Sequence, residues 1–363
     1  MLIINLCKRL GYLLREAGMS FSFFFLCILL FGCEGNKTSR IVKVLEVDTV
    51  FISLPNNTSA SLIQPATWLN SGKEFLAAYN YLDHSLSIID LSNLEYHKHI
   101  KLDEHGPNFV EGPNGIAFYE DSGLLLSSSK YLTLIGFDGK VRERIRLNDV
   151  GSSLTGFDFI EGRLDISRHS GLQFDKRSGE ILLAGIRRES SGIFKKYIAA
   201  VNIEQRKVRL IKVPEFKSKS QGESFGNLNG FSFRRLDDGF IVNPRHASEL
   251  VLMNSEIEYY SINSSLTDNK AQVYNGINGQ YSSILDHEIK SVEFYPVYET
   301  YDKSYLFRIH KGPIDRRAEK EPFYLMVSDQ KFNTIIEQPY PENYYINHII
   351  SRISTMNINI EIT

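Results

Sequence analysis

Cations and aromatics recur in this sequence where short apolar runs end. Tyr79 closes one such run, Arg187 and Arg188 another, Arg245 and His246 a third, and Arg308, His310 and Lys311 fall within a fourth. Asn114, Arg168 and His169 lie in the stretches that connect these units. Guanidinium groups that converge on one point hold a carboxylate, sulfate or phosphate by paired hydrogen bonds, and a tyrosine beside them offers a stacking surface. The expected ligand-binding set is therefore Tyr79, Asn114, Arg168, His169, Arg187, Arg245, His246, Arg308 and His310. A plainer account leaves the same arginines capping loops and paired with Glu189, Asp315 and Glu319.

Sharper chemical motifs carry less weight. Gly222-Glu223-Ser224-Phe225-Gly226 matches the pattern of a serine nucleophile elbow, but that elbow needs a strand before the serine and a helix after it, and both flanks read as loop. Glu95, His97 and His99 alternate along one expected strand and could present three ligands to zinc on one side. An exposed polar strand face explains them without metal, there is no companion histidine cluster at a typical spacing, and no metal is expected. All three cysteines, Cys7, Cys27 and Cys33, fall in the first tenth of the chain. The remainder has no thiol for a disulfide, a thiolate metal site or a cysteine nucleophile. No cofactor is expected. With 41 Lys and Arg against 43 Asp and Glu, net charge near neutrality gives no whole-protein field for nucleic acid.

The first residues read as an export address. Lys8, Arg9 and Arg15 precede an apolar run from Phe21 to Phe31, too short for a stable membrane span and suited to a signal-peptide core. It ends in Leu30-Phe31-Gly32-Cys33, which looks like a lipobox in which Cys33 takes lipid and becomes the new N-terminus. The competing account is an ordinary secretory signal, and Met19 is a second possible start. The expected organisation is a signal peptide over 1–33, a polar tether over 34–40 and one domain over 41–363.

Positioning the candidate residues is the task of strands. From Ile63 onward, short alternating runs are separated by Gly, Asp, Asn and Ser clusters, with no convincing long helical periodicity. One class of turn, such as Asn70-Ser71-Gly72, Asp121-Ser122-Gly123, Arg177-Ser178-Gly179 and Asp237-Asp238-Gly239, precedes a long apolar strand. A second class, such as Phe137-Asp138-Gly139 and Met253-Asn254-Ser255, follows the next strand. Five units thus share the order strand A, turn, strand B, loop, strand C, turn, strand D, about 45 to 75 residues apart, which is blade spacing. Remnants at both ends suggest a sixth blade, with Ile346–Ile350 and Met356–Ile362 inside and Val42–Val47 and Val50–Leu54 outside. The expected fold is all-β, a six-bladed β-propeller. In such a fold the B-to-C loops and the blade connections share one face, which gathers the cations, and the tight turns share the other.

Three stretches carry a resemblance: the lipobox at Cys33, Glu111-Gly112-Pro113-Asn114-Gly115-Ile116, and Tyr305-Leu306-Phe307-Arg308-Ile309. With them, nearly the whole mature chain resembles a family of Bacteroidota lipoproteins defined only as a domain of unknown function, akin to six-bladed, TolB-like propellers. The segment beyond Tyr345 departs from the glycine-rich final strands of that pattern. The resemblance implies fold and export, and brings no catalytic residues.

The expected function is ligand or partner binding in the cell envelope, through the basic loop face, by a chain lipid-anchored to a membrane, the outer membrane by preference. An anionic small molecule, a glycan, a peptide or an envelope protein would be the partner. The rival is a hydrolase or lyase acting on a glycan or peptide, with His169, His246 or His310 as general base. A third reading is a structural subunit with an exposed apolar patch. Fold alone does not choose among them.

Overall fold

In the Asn70-Ser71-Gly72 turn, Ser71 sits at φ 49° and Gly72 at φ 79°, the left-handed pair that lets a hairpin turn follow the twist of its strands. This turn joins β1 (Ile63–Asn70) to β2 (Lys73–Asn80), and β3 (Ser85–Asp90) and β4 (Glu95–Lys101) complete an antiparallel sheet in the order β1-β2-β3-β4. The order repeats in β5 (Gly115–Tyr119) to β8 (Val141–Arg146), with β6 (Gly123–Ser127) and β7 (Tyr131–Gly136) between. In the third sheet β9 (Phe157–Phe159) and β10 (Gln173–Asp175) both pair with β11 (Glu180–Arg188), followed by β12 (Phe194–Asn202) and β13 (Lys207–Lys212). The fourth holds β14 (Phe231–Arg235), β15 (Phe240–Pro244), β16 (Glu249–Met253) and β17 (Ile257–Ser261). The fifth holds β18 (Glu293–Glu299), β19 (Tyr305–Lys311), β20 (Phe323–Asp329) and β21 (Thr334–Pro339).

This computed structural model describes residues 63–339, except 129, 148, 150–156, 160–171, 189–193, 277–280, 300–302 and 315–321. The described residues form the five blades of an all-β propeller arrangement, not six. The strands assigned to the sixth blade, the signal peptide, the tether and Cys33 lie outside the described residues.

Neighbouring blades share apolar seams. Leu86, Ile88, Ile116 and Leu124 close the first against the second, Leu125, Leu132, Ile181 and Leu183 the second against the third, and Leu182, Ile198, Phe231 and Val242 the third against the fourth. Alternation along a strand sends successive side chains to opposite seams, so Leu182 and Leu183 serve different blades. Burial of both faces explains strands such as β6, buried throughout and carrying Leu at three successive positions, Leu124 to Leu126.

Two equivalent glycines show what the repeat requires of its turns. A Cβ at Gly123 would strike the Ile135 carbonyl, and one at Gly239 would strike the Met253 carbonyl. In both blades the A-to-B turn is pressed against the end of strand C, and a side chain there would part them.

One element departs from the all-strand expectation. Helix α1 (Tyr281–Lys290) lies in the connection between the fourth and fifth blades and packs on a short 3-10 turn, Gly226–Asn229. Among the described residues no helix is long and apolar enough to cross a membrane.

Candidate functional site

The connection from the third blade to the fourth holds the first part of the site. Glu249 at the start of β16 is buried, and its two carboxylate oxygens accept from the backbone N–H groups of Lys217 and Ser218, each at 2.8 Å. That fork fixes a turn carrying Phe216, Ser218 and Lys219. His246, in the loop after β15, is sealed from water and stacks on Phe225 with centroids 4.2 Å apart, while Phe216 meets it edge-on at 6.1 Å. His246 Nδ1 lies 3.3 Å from the Leu228 carbonyl, which can only accept, so Nδ1 donates. Nε2 is left to accept from the Ser218 hydroxyl at 3.4 Å.

Three lysines surround this stack. Lys196, near the start of β12, places Nζ 4.6 Å from the Phe216 ring centroid and is half-buried. Lys219 donates to Asn229 Oδ1 at 3.2 Å, and Lys270 pairs with Glu223 at 2.8 Å. Burial, with Lys219 adding repulsion, pushes the Lys196 ammonium down to about 7 against the opposing pull of Glu215 and Glu249. Burial and the fields of Lys196, Lys219 and Lys270 push His246 down to about 3, so its ring is neutral at ordinary pH.

The seam between the fourth and fifth blades has an apolar part, with Ile241 and Leu250 against Val297 and Leu306, and a closed polar part. Arg245 Nε and Nη2 both donate to Glu293 Oε1, at 3.0 and 2.5 Å, while Nη2 also reaches Glu288 on α1 at 3.3 Å and Nη1 the Asn227 carbonyl at 3.2 Å. Burial opposes this charge, but Glu293 and Glu288 outweigh it and hold the guanidinium above its ordinary value. Arg308 spends its donors on four backbone carbonyls, those of Tyr295, Ser248, Ala247 and Pro244, and its Cζ lies 4.6 Å from the Phe294 ring centroid. Burial without a carboxylate partner pushes it down to about 9. His310 stacks between Phe294 and Tyr324, and neither ring nitrogen has a hydrogen-bond partner among the described residues. Its nearest charge is Glu337 at 3.7 Å, and burial pushes His310 down to about 4.

The expected ligand-binding residues thus divide. Arg245, His246, Arg308 and His310 come together at adjoining seams, but all four are at most 2% exposed, and both arginines donate to protein acceptors. These two guanidiniums hold blades together; Glu189, Asp315 and Glu319, the partners named in the plainer account, lie outside the described residues. Tyr79 donates to His84 Nδ1 at 2.8 Å, since His84 Nε2 already donates to the Val110 carbonyl at 2.9 Å. The Asn114 N–H donates to the Ser127 carbonyl. Arg187 stands opposite Lys195 and Phe157 on β11, in phase with Ile181 and Leu183 toward the second blade, hence away from Lys196. Arg168 and His169 lie outside the described residues.

Neither sharper motif is assembled. A register shift between Ile88 and Ile89 leaves His97 as the extra residue of a bulge, so it packs on Phe75 while His99 turns to Asp83 at 3.3 Å. Among the described residues no three His, Cys, Asp or Glu side chains are grouped to hold a metal ion. Ser224 sits before a 3-10 turn, not a helix, and its Oγ accepts from Gly226 N–H and Asn229 Nδ2.

Lys196, Ser218, Lys219 and Glu249 are absent from the sequence expectation. Lys196 had a legible signal: it is in phase with Ile198 and Ala200, both in the seam toward the fourth blade.

The family model described as "Domain of unknown function (DUF4221)" matches residues 41–339. This chain belongs to the DUF4221 family. A DUF4221 member from Bacteroides vulgatus, known by crystal structure, is similar to it in fold, with a TM-score of 0.57, 15% identity, and coverage of 79% of this chain and 84% of the other. A Bacteroides fragilis protein whose name marks it as exported is similar at a TM-score of 0.50 and 14% identity, covering 82% of this chain and 75% of the other. No curated protein matches the chain. At such identities the likeness of this DUF4221 chain to the solved structures is one of fold.

Proposed function

We propose that this DUF4221 chain is a non-enzymatic envelope lipoprotein, anchored through Cys33, whose propeller binds an anionic ligand where Lys196 and Lys219 flank Ser218 at the seam of the third and fourth blades. The observation that carries this is the contrast between cations. Arg245 and Arg308 are saturated inside the protein, whereas Lys196 Nζ has neither hydrogen bond nor ion pair among the described residues, and Lys219 Nζ has one amide partner. Glu215 pulls on both ammonium groups but is already hydrogen-bonded to Lys195, and the positive charge left in excess favours an incoming anion. Neutral, weakly basic His246 and His310 disfavour the general-base reading, because a base works best with a pKa near its operating pH.

Export and a Bacteroidota origin are supported by the lipobox-like Cys33 together with the named export of the Bacteroides fragilis relative. The outer membrane is the proposed site, and a TolB-like ring of six blades the proposed closure. Buried Leu76 and Ile89 on the first sheet, and Phe307 and Val327 on the fifth, face away from the seams described, and among the described residues no apolar cluster joins them. A blade drawn from both ends of the chain would cover both.

A thermal-shift screen of the full chain against carboxylates, sulfate and phosphate tests the reading. A ligand at a hundredfold excess over its Kd adds about 2.7 kcal/mol of stability. The expected result is a shift with at least one anion that Lys196→Ala with Lys219→Ala abolishes. The reading fails if no anion shifts the melting temperature, or if the double variant shifts as the parent does.

A further inference from the structure

The Lys196 side chain has no hydrogen-bond or ion-pair acceptor among the described residues to hold it in place. Its Nζ rests over the Phe216 ring, and the carboxylates that face it are already engaged: Glu215 with Lys195 at 2.8 Å, and Glu249 with the N–H groups of Lys217 and Ser218. The other titratable groups around it are Lys219 and the neutral His246 ring. Lys219 is held in place, because its acceptor Asn229 is itself fixed by bonds to Ser224 Oγ at 3.2 Å and the Gly226 carbonyl at 3.0 Å. Lys195, Lys270 and Lys303, in contrast, are committed to ion pairs.

We propose that Lys196 captures small carbonyl compounds that also carry a carboxylate, forming an imine while Lys219 holds the carboxylate. This rests on the anion-binding reading above and specifies its ligand. In the step, the neutral Lys196 amine adds its lone pair to the carbonyl carbon, forming the C–N bond. The carbonyl oxygen departs as water with the two amine protons, and the imine nitrogen can then take up a proton. No oxidant or reductant is needed. An amine poised at about 7 is half neutral near neutral pH, whereas an ordinary exposed lysine is almost wholly protonated.

The test treats the full chain at pH 7 with glyoxylate or with neutral propanal, each with cyanoborohydride to trap the imine, and maps alkylated lysines by mass spectrometry. Exposed Lys207 is the internal reference. The expected result is modification of Lys196 roughly tenfold or more faster than Lys207, with a preference for glyoxylate that Lys219→Ala removes. Lys196→Arg keeps the charge and should retain the anion-induced thermal shift while giving no adduct, which separates loss of capture from loss of folding. Modification of Lys196 no faster than Lys207 overturns the proposal, and an anion shift that persists leaves reversible binding standing. Fast capture of both aldehydes alike, unaffected by Lys219→Ala, overturns the carboxylate class and counts against the anion-binding reading as well.

Discussion

Arg245 Nη2 donates to Glu293 Oε1 at 2.5 Å, with both side chains removed from water. This pair joins the loop after β15 to the first residue of β18, and so the fourth blade to the fifth. Removing one member strands the other as a buried charge, which costs about 3–5 kcal/mol. Arg245→Ala is expected to lose that much in urea denaturation, and Arg245→Met with Glu293→Leu to lose less than Arg245→Ala alone. Equal loss in both would show that the ion pair is not what the first variant breaks.

Arg308 makes a different demand, because its partners are carbonyls. Arg308→Lys preserves the charge but has no planar fork to reach four acceptors, so it is expected to destabilise the chain on the order of 2 kcal/mol or more. A urea midpoint unchanged from the parent would mean that charge alone suffices there.

Stability should fall in acid. His246 and His310 are depressed in the folded state to about 3 and about 4, so between those values and the ordinary histidine range near 6.5 the unfolded chain binds more protons. Their contribution is complete above about 6.5 and is lost progressively as pH falls toward 4 and 3. His310→Phe keeps the stack between Phe294 and Tyr324 and removes the titrating ring, so denaturation curves of this variant should depend less on pH between 6.5 and 4. An unaltered slope would place the acid response elsewhere.

Lys196 works with the same sign of pH dependence at its own, higher end of the scale. Its depressed value means that holding the charge costs stability fully below about 7, and the cost fades as pH rises toward 10.5. Lys196→Met is expected to be more stable than the parent at pH 6, on the order of 1 kcal/mol, with the gain vanishing by pH 10.5. A loss of stability at pH 6 would identify Lys196 as a structural residue.

Glu249→Ala removes a negative charge from beside the lysines, yet it should weaken anion binding. The carboxylate holds the N–H groups of Lys217 and Ser218, and without it the turn presenting Lys219 is released. Calorimetric titration of an anion that shifts the parent should show a higher Kd; a lower one would mean that charge outweighs placement.

The blades were legible because their punctuation is local. A turn that needs positive φ or the space of a missing Cβ shows itself as Gly, Asn or Asp wherever it occurs, as Gly72, Gly123 and Gly239 do. The site was less legible because burial here is decided by the neighbouring blade. Arg308 and His310 read as loop-face cations, but they continue the phase of Leu306 into the seam with the fourth blade. In a sheet covered on both faces, a charge within strand B has no solvent side to point to. Helix α1 was missed because Ile284, Leu285 and Ile289 make only one short apolar face in ten residues.

The blades of this chain are look-alike modules, and all four described junctions contain Leu, Ile, Val, Phe or Met that would accept almost any apolar neighbour, the third and fourth blades adding an ion pair of Asp175 with Arg235. The fourth and fifth also share a buried interlock of Arg245, Glu293, Arg308 and a cage of carbonyls, and a neighbour lacking those partners would strand a charge. That junction acts as a keyway: it makes mispairing of modules costly, and so fixes the order in which otherwise interchangeable parts are assembled.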